Sequence, residues 1–290
     1  MRVVVPFPAG GGIDLIARLT LERLRSRWPQ GAIVDNRTGA NSLLGAEFVL
    51  GQPRDGQTLL VTNSTTFILP VLMNRSSFRP LQDFVAVSEL IVDQLLVYVR
   101  AGSDIESMKE VLDIERSSKL NFGSYGVGSN PHLLMEELNR RYATRFTHIP
   151  YKGAALLAVG VIGDDVQLGV APYAVVRPFF ESGKLRPIAV FGSQRLSLLP
   201  KVPTLGEAGI ASFESNQWTG IFAARGTPEV KLNQLAQDFQ SVLQDDAFRA
   251  VLAERGTVPG SQVGATFDQI VQRDAAILGK MNVAAGIRLD

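Results

Sequence analysis

The chain repeats one local pattern: a short, wholly apolar run, a loop of glycines or small polar residues, then a segment with helical periodicity. Its first occurrence is "VVVPFPAGGGIDLIARL", residues 3–19. Residues 3–5 have the unbroken apolar character of a strand covered on both faces. Ile13, Ala17, Leu21, Leu24 and Trp28 then recur at spacings of four and three, one face of a helix. A strand at 32–34, a helix from about Ser42 and a strand at 58–62 follow on short connections. A β-α-β-α-β run with such loops buries its apolar faces as a parallel sheet with helices packed on it.

The pattern then starts again. A strand at 95–99 leads to the helix "SMKEVLDIER", the strand "LNFGSY" and the helix "SNPHLLMEELNRRYA", with Pro131 suited to a first turn. A strand at 146–149, "AALLAVGVIG" as a helix, "DVQLGVA" as a strand, "AVVRPFFESG" as a helix and "LRPIAVFG" as a strand complete a second unit. "NQWTGIFAARGTP" is one more apolar strand, and the tail reads as helix, from Pro228 to Gly256 and again through "TFDQIVQRDAAILGKMNVAAGI". At 290 residues the chain exceeds the usual size of one core. The expectation is an α/β protein of two lobes: residues 1–97 with 221–290, and residues 98–220, the chain crossing near 96–101 and 217–223.

Composition removes several function classes. The net charge of +1 lacks the basic excess of a nucleic-acid binder. There is no cysteine, hence no disulfide, thiolate metal site or cysteine nucleophile. The two histidines, His132 and His148, stand far apart, and no H-x-x-x-H or H-x-x-E spacing points to a metal. Neither Gly10/Gly12 nor Gly126/Gly128 completes G-x-G-x-x-G, and neither a phosphate-binding G-x-x-x-x-G-K-[ST] nor a G-x-S-x-G nucleophile motif occurs. No apolar run approaches the ~18 residues of a membrane span. Met1 and Arg2 lead straight into a strand, as in a mature exported protein without its leader and equally in a cytoplasmic one.

What remains are three loops at strand ends: "FPAGGGID", "TNSTTF" and "SYGVGSNPH". In open α/β sheets ligands lie beyond the carboxyl ends of the strands. Gly10, Gly11 and Gly12 suit either a tight turn or an anion held on N–H groups at a helix N-terminus. Asp14, in a first helical turn, is most simply a partner of the helix dipole. Ser129 and Asn130 are natural caps as well as candidate contacts, and His132 is a packed residue or a contact.

Together these segments resemble the substrate-binding proteins of tripartite tricarboxylate transporters, the Bug proteins. The resemblance rests on "VVPFPAGGGIDLIAR", "VDNRTGANSLLGA", "PRDGQTLLV", "KLNFGSYGVGSNPHL", "HIPYKGAA", "ESGKLRPIAV", "LLPKVPTLGEAGI" and "GIFAARGTP", in that order along almost the whole chain. It implies a two-lobed, type II periplasmic-binding-protein-like fold, with two doubly wound sheets joined by two crossover strands and closing like a flytrap on a ligand cleft. It implies no enzymatic activity, no cofactor and no metal. A small organic carboxylate would be held by backbone N–H groups and waters at Phe7, Ala9, Gly10, Gly11, Gly12 and Asp14, with Ser64 and Thr65 alongside, and at Tyr125, Gly126, Gly128, Ser129, Asn130 and His132. Export to the periplasm with the signal peptide removed, a monomeric state and delivery to a two-component membrane permease are further implications. An α/β enzyme acting on a small anionic or phosphorylated substrate is the alternative, against which the missing motifs weigh.

Several positions depart from the family pattern. Ala9 replaces a second proline, Leu69 an asparagine before Pro70, and Gln167 and Ala171 stand where carboxylates are common. Ala171, with Pro172 and Tyr173, ends a strand on the expected cleft side; packing against a helix is the competing reading. Without a carboxylate there, the expected ligand is a simple mono- or dicarboxylate, aromatic ones included, rather than an amino acid.

Overall fold

The computed structural model describes residues 1–39, 42–65, 67, 79–115, 119–210 and 217–287. It divides into two compact units, Met1–Val92 with Gln217–Ala276, and Asp93–Asn216 with Ile277–Asp290.

The first unit opens as the sequence pattern requires. Strand β1 (Arg2–Val5) feeds helix α1 (Gly12–Arg23), β2 (Ile33–Asn36), α2 (Leu43–Leu50) and β3 (Thr58–Asn63). β1 lies between β2 and β3 and is parallel to both, with Val3 opposite Val34 and Leu59. Val3, Val4 and Val5 are fully buried, which explains their lack of alternation: the strand is covered on both faces. A short turn of helix, α3 (Pro80–Asp83), leads into β4 (Phe84–Asp93), a ten-residue strand absent from the sequence reading. Ser88 and Glu89 interrupt its apolar run, yet both are buried, the Glu89 carboxylate accepting the Ser261 N–H at 3.1 Å.

The second unit begins with β5 (Leu95–Arg100) and continues through α4 (Met108–Glu115), β6 (Asn121–Ser124), α5 (Asn130–Tyr142), β7 (Thr147–Pro150), α6 (Ala154–Ile162), β8 (Leu168–Pro172), α7 (Tyr173–Glu181) and β9 (Leu185–Val190). The sheet order is β7-β6-β8-β5-β9. β6 is parallel to β7 and β8, whereas β5 runs antiparallel to β8 and β9. Its core gathers Tyr98, Leu157, Val161, Val166, Ala171 and Val176.

The chain returns to the first sheet with β10 (Gln217–Ala224), antiparallel to β3. Helices α8 (Glu229–Leu243) and α9 (Asp246–Glu254), the two-residue strand β11 (Val258–Pro259) and α10 (Gly264–Ala285) follow. The first sheet therefore reads β11-β4-β10-β3-β1-β2. Both sheets are mixed rather than purely parallel, because β5 runs against β8 and β9 and β10 runs against β3. The helical stretch from Pro228 is also two helices. Asp245 ends the first and caps the second by accepting the Phe248 N–H at 2.7 Å. Phe239 and Phe248 lock that pair into a core with Leu24, Trp28 and Val61, and Trp28 meets Phe239 edge-on at 5.7 Å.

Candidate functional site

The first glycine loop joins β1 to α1. Pro8, Ala9, Gly10 and Gly12 are exposed at its tip, while Phe7 packs partly into the core. Gly10 adopts φ +81°, a conformation that only glycine takes without strain. Gly11 is the helix N-cap, and a Cβ on it would lie 3.1 Å from the Pro8 carbonyl. What fixes the loop is Asp14, one turn into the helix and 1% exposed. Its Oδ2 accepts the Gly10 N–H at 2.8 Å and Arg18 Nε at 2.9 Å, and its Oδ1 accepts Asn36 Nδ2 at 2.9 Å. Asn36 also donates to the Phe7 carbonyl at 3.1 Å and accepts from Arg18 at 3.2 Å, so the network closes on itself. Burial alone would push the Asp14 carboxyl up. The Arg18 bond, the Gly10 N–H and the Asn36 amide outweigh it and hold the group below the usual carboxylate range. Asp14 thus acts within the loop, and Gly10 gives its N–H to Asp14. The Gly12 and Ile13 N–H groups have no acceptor among the described residues and stand at the helix N-terminus.

The second loop follows β3. The Ser64 side chain is buried and Thr65 half-buried, and both already lie in a helical turn rather than an open loop. Thr66, Leu69 and Pro70 lie outside the described residues.

The third loop joins β6 to α5. Gly126 and Gly128 take φ of +147° and +74°. Tyr125 and Gly126 are half-buried, Val127 is exposed, and Gly128, Ser129, Asn130 and His132 are buried. Ser129 is the N-cap of α5; its hydroxyl lies 2.7 Å from the Gly126 carbonyl and 3.2 Å from Ser124 Oγ. Ser124 Oγ accepts the Gly126 N–H at 3.2 Å and sits 2.7 Å from His148 Nε2. Gly128 donates its N–H to His132 Nδ1 at 3.0 Å. The two imidazoles, remote in sequence, stack at 3.7 Å between centroids and 15° between planes, with the Phe122 ring 4.9 Å from His148. Desolvation lowers both pKa values, His132 to about 4 and His148, with His132 beside it, to about 3. Both rings are therefore neutral near pH 7. Among the described residues no group of three or more His, Asp or Glu could hold a metal ion.

The end of β8 differs from the expectation. Ala171 is fully buried, in one cluster with Leu157, Val161 and Val176 from the helices, and Pro172 is buried as the N-cap of α7. Tyr98 lies opposite Gly169 across the strand pair, and its ring fills the space a Gly169 side chain would need. That face of β8 is core, and Ala171 packs against helices, the competing reading of the sequence. Arg18, Asn36 and His148 are the residues that sequence reasoning did not single out.

The family model described as "Tripartite tricarboxylate transporter family receptor" matches residues 16–284. The chain belongs to this family. A relative from Cupriavidus necator, the UPF0065 protein in the gbd 5' region, is 30% identical over 98% of the chain and 88% of its own length. Protein BugT of Bordetella pertussis is 29% identical over 93% of the chain and 83% of its own length. Among solved structures, a TctC solute-binding protein from Polaromonas superposes with a TM-score of 0.85 at 26% identity, over 98% of each chain. Rpa4515 of R. palustris, solved with adipate, gives 0.83 at 28% over 99% of this chain and 97% of its own. MatC of Rhodopseudomonas palustris, solved with malate, gives 0.80 at 27% over 97% and 98%. The two-lobed α/β fold agrees with these structures, and the chain is a solute-binding receptor rather than an enzyme. No helix among the described residues is long and apolar enough to cross a membrane.

Proposed function

We propose that this receptor captures a small organic carboxylate, and that the glycine loops Phe7–Gly12 and Tyr125–Asn130, pinned by Asp14 and His132, are the candidate binding elements of their respective units, with Ser64 and Thr65 beside the first. The observation that carries the reading is a device used twice. In each unit a positive-φ glycine leads a helix out of a parallel strand, and a side chain one turn into the helix holds that glycine's N–H. A loop pinned from inside keeps its shape, and in the first loop that leaves the Gly12 and Ile13 N–H groups at the helix end for an anion. The relatives solved with adipate and with malate point to di- and hydroxydicarboxylates as the class. In this reading the receptor works in the periplasm as a monomer and hands its ligand to a two-component membrane permease; the family description, a receptor of a tripartite transporter, supports the delivery step.

A thermal-shift panel tests the binding. Succinate, malate, adipate and benzoate are compared with inorganic phosphate and a sugar. A carboxylate present at 100 times its Kd stabilises the fold by ~2.7 kcal/mol, several degrees in a chain of this size. Stabilisation by phosphate alone, with no carboxylate effective, would refute the reading.

A further inference from the structure

We propose that His132 and His148 are positioning residues: the stacked pair touches no ligand, but uses a neutral ring nitrogen to set the second glycine loop in its binding shape. The starting point is a match between the units. In α1, Asp14 sits three residues beyond the N-cap Gly11 and accepts the N–H of Gly10. In α5, His132 sits three residues beyond the N-cap Ser129 and accepts the N–H of Gly128. Acceptance by Nδ1 requires a bare lone pair there, so the ring carries its proton on Nε2. That nitrogen faces Glu136 Oε1 at 3.8 Å, beyond direct hydrogen-bond range.

The choice of imidazole over carboxylate has a physical reason. Asp14 brings a negative charge into its loop, and Arg18 lies on it at 2.9 Å. No cation contacts His132 among the described residues, so a carboxylate at that position would leave an uncompensated negative charge beside a loop meant for an anion. A neutral imidazole makes the same bond without the charge. His148 serves the arrangement twice. Its ring lies flat against His132 at 3.7 Å, which fixes the ring plane, and two imidazolium cations at that separation would repel. Its Nε2 also holds Ser124 Oγ at 2.7 Å, and that oxygen accepts the Gly126 N–H and meets the Ser129 hydroxyl. One histidine therefore governs Gly128 directly and the other governs Gly126 through Ser124.

The affinity arm of the test rests on the proposed carboxylate binding; the spectroscopic arm does not, so the two can fail separately. In the 15N-labelled wild-type protein at neutral pH, long-range imidazole correlations should show His132 protonated on Nε2 only, with the Gly128 amide protected from exchange. A proton on Nδ1, a cationic ring or a freely exchanging Gly128 amide would overturn the proposal, even if no carboxylate bound. Calorimetry with malate and adipate as probes then separates bond from charge. Asparagine places an oxygen where Nδ1 stood, so His132→Asn should bind within threefold of wild type. His132→Asp keeps the bond but adds charge, and His132→Leu loses the bond; each should bind at least tenfold more weakly while remaining folded by circular dichroism. Equal affinities for His132→Asn and His132→Leu would refute positioning, and equal affinities for His132→Asn and His132→Asp would refute the need for neutrality.

Discussion

At the scale of single residues, the loops are governed by side chains that face inward. Asp14 is nearly inaccessible and has three donors on its carboxylate. Asp14→Ala should cost about 2 kcal/mol, the size of a lost charged hydrogen-bond set partly replaced by water at the exposed Gly10. Urea unfolding measures it, and a loss under half that would mean Arg18 and Asn36 find other partners. Its place in a first helical turn was legible in the sequence, and so were the glycines. Asn36 and Arg18 were not singled out: Asn36 lies 22 residues from Asp14, and only the pairing of β1 with β2 brings it there. His148 escaped for the same reason: the β6–β7 ladder sets it opposite Phe122, and its stack on His132 follows no sequence spacing. Ala171 carried two readings in the sequence, a ligand wall and a packed side chain, and the structure shows the packing, with Tyr98 and Leu157 in its cluster. Ala171→Asp would bury an unpaired charge and should destabilise by on the order of 4 kcal/mol. Ala171→Val, which adds only bulk, should cost less. If Ala171→Asp left the urea midpoint near wild type, the side chain would have to reach water.

At the scale of elements, apolar runs identified strands well wherever nothing interrupted them. β1, β3, β5 and β10 each hold a continuous apolar stretch, residues 3–5, 59–61, 95–99 and 221–224, and these stretches are buried. β4 was missed because Ser88 and Glu89 break its run, and the buried Glu89 carboxylate is met by the backbone N–H of Ser261, remote in sequence. Direction was the second gap. Helix-length connections imply parallel neighbours, but β5 begins at Leu95, directly after β4 ends at Asp93, and needs no crossover helix to lie antiparallel to β8. The break between α8 and α9 was readable, since Asp245 followed by a short apolar-periodic segment is a helix-start signal. Its weight is measurable. Asp245→Ala removes the bond to the Phe248 N–H, and the expected loss is ~1 kcal/mol. Asp245→Asn or Asp245→Ser should restore most of it in thermal unfolding. Failure of both to do so would mean that the contact of Asp245 with Arg23, at 3.7 Å, matters more than the cap.

At the scale of the whole molecule, titration ties the second glycine loop to global stability. His132 and His148 titrate near 4 and 3 in the fold, against an ordinary value of about 6.5 in the unfolded chain. As pH falls below about 6.5, the unfolded chain takes up two protons that the folded one refuses, so stability declines from there and the full penalty is reached only below about 3. The carboxylates held low act later. Glu137, drawn to about 2 chiefly by Arg140, keeps its contribution above the ordinary glutamate range and loses it as pH falls toward 2. Asp93 works the other way, because desolvation pushes it up to about 7. The folded state takes that proton first and gains stability as pH drops from about 7 toward the ordinary aspartate value. The net slope between pH 7 and 5 is thus a contest between the histidine pair and Asp93, and wild type alone cannot apportion it. Replacing both rings by side chains that keep their bonding positions but do not titrate, His132→Asn with His148→Gln, leaves Asp93 in place and removes only the histidine part. Calorimetric melting temperatures across pH 7 to 5 should therefore fall less steeply in the double variant than in wild type. The difference should correspond to a proton uptake on unfolding of about two at the lower end of that interval. Parallel profiles for the two proteins would mean that the histidines already titrate normally in the fold, and the neutral stack behind Gly126 and Gly128 would have to be abandoned.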